Sequence, residues 1–362
     1  MSPEELQAQY ALSAQPYIDS PGPMTQAVLG LKSWRYVLEI NSACQLKCQF
    51  CHAGNRAGYE YKQGVMDMGL LEKILDKIQT ENANAVVCCY VNSDPFLHPR
   101  IADCVASIKR RGFRCEFSSN LNHIAQLDQV IAAKPDLFTV SVSGWTQQVY
   151  ERAHRGGDVE KVKQNLKEVA EAMHRAGSSI FGGVSYHMYN DNLGEELAQW
   201  KAYCESFGWL FMLSWGRTIT MENTVQACRY LESLKTGKLD PYEVQDGLDL
   251  NQLLPPVTKD FLDGFSRLRF PPDRAKKLYE RWPLSTVCLV SEVFTEIRWD
   301  GRVQLCAWTD DMRLTLGNYL EMSQAQIAEA RRNHPLCKEC LKHRLNYYFH
   351  IVDPTKWDTG GI

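Results

Sequence analysis

The chain has 362 residues, 44% of them hydrophobic and 23% charged, with a formal charge of −3. That is room for one large domain plus a smaller one, and it carries no basic excess that would suit nucleic acid or an anionic membrane. The first Lys or Arg is Lys32, against a secretory signal or transit peptide, and no apolar run approaches the roughly 18 residues of a membrane span. A soluble, cytoplasmic protein is expected.

Residues 1–34 are polar, carry Pro21-Gly22-Pro23, and read as an N-terminal arm. From Arg35 short apolar runs alternate with amphipathic stretches. The runs Tyr36–Ile40, Ala85–Val91, Cys115–Ser118, Leu137–Val142, Ile180–Tyr186 and Leu210–Leu213 predict strands. Between them Leu70–Ile78, Ile101–Arg111, Ile124–Ala133, Val159–Arg175 and Glu195–Phe207 predict helices. Strands alternating with helices over 35–215 indicate stacked βα units on a parallel sheet, open or curled into a barrel, with the active site at the C-terminal strand ends. Residues 216–285 read as a helical insert, with Pro pairs at 255–256 and 271–272 marking bends. Alternating runs on either side of Asp300-Gly301, from Val293 to Cys306, then predict a β-hairpin opening a C-terminal lobe over 286–362.

Thirteen cysteines are many for this length, and in a reducing compartment clustered cysteines point to metal rather than disulfides. Cys44, Cys48 and Cys51 sit on one short loop directly after the first predicted strand. Three thiolates can hold three irons of a 4Fe–4S cubane and leave the fourth open to a chelating ligand. Thioredoxin-like chemistry explains a CxxC but not Cys44, and structural zinc would need a fourth ligand such as His52. A second set, Cys288, Cys306, Cys337 and Cys340, is complete in itself and suits either zinc or a fully ligated cluster. The other six cysteines read as small buried hydrophobes.

Cys44-x3-Cys48-Gln-Phe50-Cys51 resembles the motif of the radical S-adenosylmethionine (SAM) superfamily, in which an aromatic precedes the last cysteine. The resemblance covers roughly 35–215 and implies a partial (β/α)6 TIM-like barrel, a SAM-binding 4Fe–4S cluster and a 5′-deoxyadenosyl radical. It implies roles for further residues at the strand ends. Asn92-Ser93-Asp94-Pro95 stands where relatives carry a Gly-Gly-Glu-Pro-like motif that binds the SAM amino group; the acid and the Pro are kept, the glycines are not. Ser119-Asn120 and Ser141-Val142-Ser143-Gly144 resemble the family's third and fourth strand ends. Arg155 matches the Arg that pairs with the SAM carboxylate, a task suited to a bidentate guanidinium, with Arg152 as the other candidate. The residue-level alternative for Asp94 is a helix N-cap.

Cys288-x12-Gly301-x4-Cys306 followed by Cys337-x2-Cys340 resembles the twitch extension, a shortened SPASM domain, and implies one auxiliary 4Fe–4S cluster. Such a cluster could take an electron from a substrate radical, which favours net oxidation: crosslinking, cleavage or dehydrogenation. A ribosomally made peptide is the leading substrate, with a small molecule such as an aminocyclitol or nucleotide as the alternative, dehydrogenated or epimerised. With only 34 residues before the first strand, a peptide would call for a separate leader-binding protein, and a flavodoxin- or ferredoxin-type donor would supply electrons. Tyr90, Trp145, Tyr186, His187 and Trp215 are candidate substrate contacts, and Cys204 or Cys228 a hydrogen-atom donor in an epimerisation. The competing class is a nonenzymatic protein with two zinc knuckles.

Overall fold

The computed structural model describes residues 35–238, 241–242, 249–269, 271–272, 288, 291 and 294–348. The N-terminal arm, part of the insert, Val293 and the last residues of the C-terminal lobe lie outside them. Six parallel strands form the body: β1 Arg35–Leu38, β2 Val86–Cys88, β3 Arg114–Ser119, β4 Leu137–Val142, β5 Phe181–Met188 and β6 Leu210–Trp215. Their order is sequential from β1 to β6, and β6 does not close onto β1, so the sheet is an open, barrel-like α/β sheet. This is the partial (β/α)6 TIM-like barrel expected.

Helices α1 Met68–Glu81, α2 Ile101–Arg110, α3 Leu127–Ala132, α4 Gln147–Ala153, α5 Val159–Arg175 and α6 Glu195–Glu205 connect the strands. Asp67 and Asp158 cap α1 and α5 by accepting two backbone N–H groups each, which satisfies donors the first helical turn leaves open. The six-residue α3 starts later than its apolar pattern suggests, because Gln126 adopts a left-handed conformation, φ 52°. Polar α4 has too short an apolar repeat to stand out in the sequence.

On β5, Val184, Tyr186 and Met188 are buried while Ser185 and His187 between them stay half-buried, the period of two expected of a strand with two unlike faces. The core lies between the sheet and its helices. Its largest fully buried side chain, Trp200 of α6, donates its indole N–H to the Gly144 carbonyl at 2.6 Å. Trp200→Ala is expected to cost about 3–5 kcal/mol in chemical denaturation, and a loss under 1 kcal/mol would show that α6 is not a core helix.

The C-terminal lobe joins the sheet at the β1 edge. Strand β7 Phe294–Ile297 pairs parallel with β1, and β8 Arg302–Gln304 and β9 Thr315–Asn318 follow antiparallel, giving one nine-stranded sheet. The Asp300-Gly301 turn lies where predicted, with Gly301 at φ 84°. Helices α7 Met221–Thr236, α8 Leu250–Leu253 and α9 Lys259–Asp263 belong to the insert, and α10 Gln324–Asn333, α11 Pro335–Lys342 and α12 Leu345–Tyr348 to the lobe. Among the described residues no helix is long and apolar enough to cross a membrane.

Candidate active site

The three-cysteine loop leaves the C-terminal end of β1 and is pinned through its backbone. Lys47 N–H donates to the Arg155 carbonyl at 3.0 Å, Gln49 N–H to that of Ala153 at 3.3 Å, and Cys51 N–H to that of Cys48 at 3.2 Å. The Asn55 amide closes the loop by donating to the Gln49 and Cys51 carbonyls at 2.7 and 2.8 Å. A Cβ on Gly54 would overlap the Cys48 carbonyl and come within 2.9 Å of that of Lys47. Gly54→Ala should therefore displace the Cys48 backbone and lower bound iron with little loss of helix content. Full iron loading of that variant would disprove the tight fit.

Burial pushes the Cys44 thiol up to about 12, and raises Cys48 and Cys51 as well, with neighbouring thiols adding to the first two. Such thiols are neutral until a cation draws the protons off. His52, the conceivable fourth zinc ligand, is fully buried with neither ring nitrogen hydrogen-bonded. Among the described residues no three His, Cys, Asp or Glu side chains form a group able to hold a single metal ion. A cubane asks less of the loop, since each thiolate binds its own iron. The chemistry of the donor set thus fits a cluster bound by three cysteines.

Beside the loop the ends of β2 and β3 meet on Asp94. One carboxylate oxygen accepts Ser119 Oγ–H at 2.8 Å and Asn120 N–H at 2.9 Å; the other accepts Phe96 N–H at 3.1 Å, capping the short 3-10 turn Pro95–Leu97. Asp94 is therefore both the N-cap and a junction of strand ends, with about one acceptor position left. Asn92 is buried and its amide N–H2 has no partner, whereas Ser93 is half-buried. The Asn120 amide lies 3.8 Å from Cys44 Sγ and accepts from Gln45 at 2.8 Å, tying the third strand end to the cysteine loop.

On β4, Ser141 is half-buried, and Ser143 just beyond the strand lies 2.5 Å from His154 Nδ1. His154 in turn stacks on Tyr150 at 4.8 Å. Arg155 forms a bidentate pair with Asp260 of α9, at 2.8 and 2.9 Å, so its guanidinium has a carboxylate partner from the insert. Arg152 pairs with Asp191 instead.

Phe50 packs on Tyr189 and Phe261, and Arg267 donates to Gln49 Oε1 at 2.6 Å. The insert therefore covers the cysteine loop, a contact no local pattern could reveal.

Comparison with known proteins agrees with this layout. The model of the radical SAM superfamily matches residues 38–200. This stretch is thus similar to a radical SAM domain.

The tungsten-containing aldehyde ferredoxin oxidoreductase cofactor-modifying protein of Pyrococcus furiosus is 31% identical over 136 residues, 36% of this chain and 37% of that protein. The chain thus matches little more than a third of that relative's length. Streptococcus suis SuiB bound to S-adenosylmethionine superposes with a TM-score of 0.51 at 12% identity, over 84% of this chain and 67% of SuiB. SuiB bound to the precursor peptide SuiA gives 0.52 at 12% identity, over 84% and 66%. Native anSMEcpe with bound AdoMet gives 0.50 at 15% identity, over 84% and 82%. At these identities the likeness is one of fold.

Beyond the matched stretch, Cys288, Cys306, Cys337 and Cys340 line one cavity with Met221, Leu305, Trp308 and Arg331. Burial pushes the Cys337 thiol up to about 12 and raises Cys306 and Cys340, and thiols of the set act on one another. The sequence pattern groups the same four residues. It missed the polar seam between this cavity and the cysteine loop's end of the sheet. There Arg56, five residues after Cys51, donates to Asp310 at 2.6 Å, Arg298 donates to the Asp310 carbonyl at 2.9 Å, and Glu222 accepts Asp310 N–H at 2.9 Å.

Proposed function

We propose that this chain binds SAM on a 4Fe–4S cluster held by Cys44, Cys48 and Cys51 and uses it for a net oxidative modification of a ribosomally made peptide. The observation that carries the reading is the three-cysteine loop, pinned at the C-terminal end of β1 beside Asp94 and Asn120. When bound, the cluster supplies the electron that splits SAM into methionine and a 5′-deoxyadenosyl radical.

The chain's own residues bind, orient and shield. Asp94 offers its remaining acceptor position to the SAM ammonium, with Asn92 and Ser93 at hand. Arg155 takes the carboxylate once it exchanges its Asp260 partner. Ser119, Asn120, Ser141 and Ser143 hold the ribose and methionyl part, and Phe50 under its insert cover keeps water off the loop.

Support for an oxidation comes from the four cysteines around one cavity, which suit a single auxiliary 4Fe–4S cluster of the twitch type. Support for a peptide comes from a protein of the same fold that binds a precursor peptide. The second reading is a small-molecule reaction, favoured by the cofactor-modifying relative. A leader-binding protein and a flavodoxin or ferredoxin are the partners this function calls for. Anaerobic protein with reductant and SAM should form 5′-deoxyadenosine, and a candidate precursor peptide should emerge lighter by two hydrogen atoms. Nucleoside formation with no peptide change, but consumption of a small-molecule substrate, would select the second reading.

A further inference from the structure

Arg331 of α10 is 3% exposed and lines the cavity of Cys288, Cys306, Cys337 and Cys340. Its Nε donates to the Leu305 carbonyl at 2.9 Å, one Nη to those of Ser291 and Phe294 at 3.1 and 2.9 Å, and the other to that of Gln304 at 3.4 Å. Each of these acceptors is a neutral carbonyl. Among the described residues lining the cavity none is Asp or Glu, and the second cation there, Arg332, is exposed. Glu296 also acts on Arg331, but it is itself buried with both oxygens lacking a hydrogen-bond partner. Asn346, 4% exposed, adds to the lining an amide oxygen without a partner.

A buried guanidinium hydrogen-bonded to carbonyls alone has no paired anion among its acceptors, a costly arrangement for a charge inside a folded protein. Four thiolates around iron reverse the balance, since an oxidised cubane with four cysteines carries a net negative charge that grows by one on reduction. We propose that Arg331 is the built-in counter-charge of this site, making the anionic form of the bound group the stable one and raising its reduction potential. The proposal rests on the reading that the four cysteines hold a cluster. The physical cause is Coulombic: a fixed cation in a poorly screened cavity favours the more negative state.

The test uses the full chain carrying Cys44/Cys48/Cys51→Ala, so that one cluster is read, reconstituted with iron and sulfide. The parent should hold about four irons. Adding Arg331→Gln should lower the reduced-to-oxidised ratio at fixed potential about tenfold, a drop of about 59 mV for one electron, while Arg331→Lys stays near the parent. Melting supplies a second readout that needs no cluster in the variant. Arg331→Gln should leave unchanged or raise the melting temperature of metal-free protein and lower that of loaded protein, whereas a mere carbonyl staple would lower both. If Arg331→Gln fails to hold iron, the Lys variant at the parent potential, or a raised metal-free melting temperature, supports the proposal. An unchanged potential with equal melting losses in both states overturns it while leaving the cluster intact. A parent without iron overturns the cluster reading itself.

Discussion

Replacing Cys44, Cys48 and Cys51 together by Ala should abolish 5′-deoxyadenosine formation and cut bound iron from about eight to about four per chain. The effect is all or none because, in the proposed arrangement, the loop's thiolates are the cluster's whole protein anchorage. Structural collapse is not the expected cause. The loop is held by backbone bonds to Arg155 and Ala153 and by the Asn55 amide, none of which involves a thiol. Far-ultraviolet circular dichroism of the variant should therefore match wild type. Iron and sulfide counting with nucleoside detection reads the result. Four irons in wild type, lost in the variant, would leave the C-terminal set to zinc and remove the case for net oxidation. Zinc alone with no nucleoside would favour the zinc-knuckle alternative.

What was legible in the sequence follows the range of the interactions. β4 and α5 fall on their predicted residues, Leu137–Val142 and Val159–Arg175, because local apolar periodicity reports the face a segment buries. The cysteines could be grouped from the sequence because spacing limits where a ligand can reach. The parallel pairing of β7 with β1 was not, since Arg35↔Phe294 is a contact across most of the chain and both strands read as ordinary apolar runs. Arg331 reads as one more basic residue in the last turn of a polar helix, and only the fold reveals its burial. The Arg155–Asp260 pair was hidden for the same reason: either residue alone reads as a surface charge. Where a candidate acquired a different neighbour, as Arg155 did, the sequence had named the guanidinium but could not supply its competitor.

Asp94 is where chemistry and folding pull on one carboxyl in opposite directions. Burial holds it up at about 6, outweighing the three donors that favour its ionised form. The folded state therefore binds the proton more tightly than the unfolded chain, whose value is 3.8. Its contribution to stability is full below pH about 4 and is lost as pH rises through about 6, roughly 3 kcal/mol in all. SAM affinity should run the other way. An ammonium is accepted by the ionised carboxylate, so affinity is level above pH about 7 and falls toward tenfold per unit below about 6. Asp94→Asn should flatten that profile and weaken SAM at neutral pH. Asp94→Ala should in addition cost about 3 kcal/mol of stability, because Ser119 Oγ–H, Asn120 N–H and Phe96 N–H lose their acceptor together. Equilibrium dialysis of SAM against the reconstituted protein from pH about 5.5 to 8, beside denaturant melts over the same range, separates the two slopes. A wild-type affinity that is flat while stability still falls with pH would reduce Asp94 to the cap and strand junction, and would pass the ammonium to a different acceptor in the same mouth.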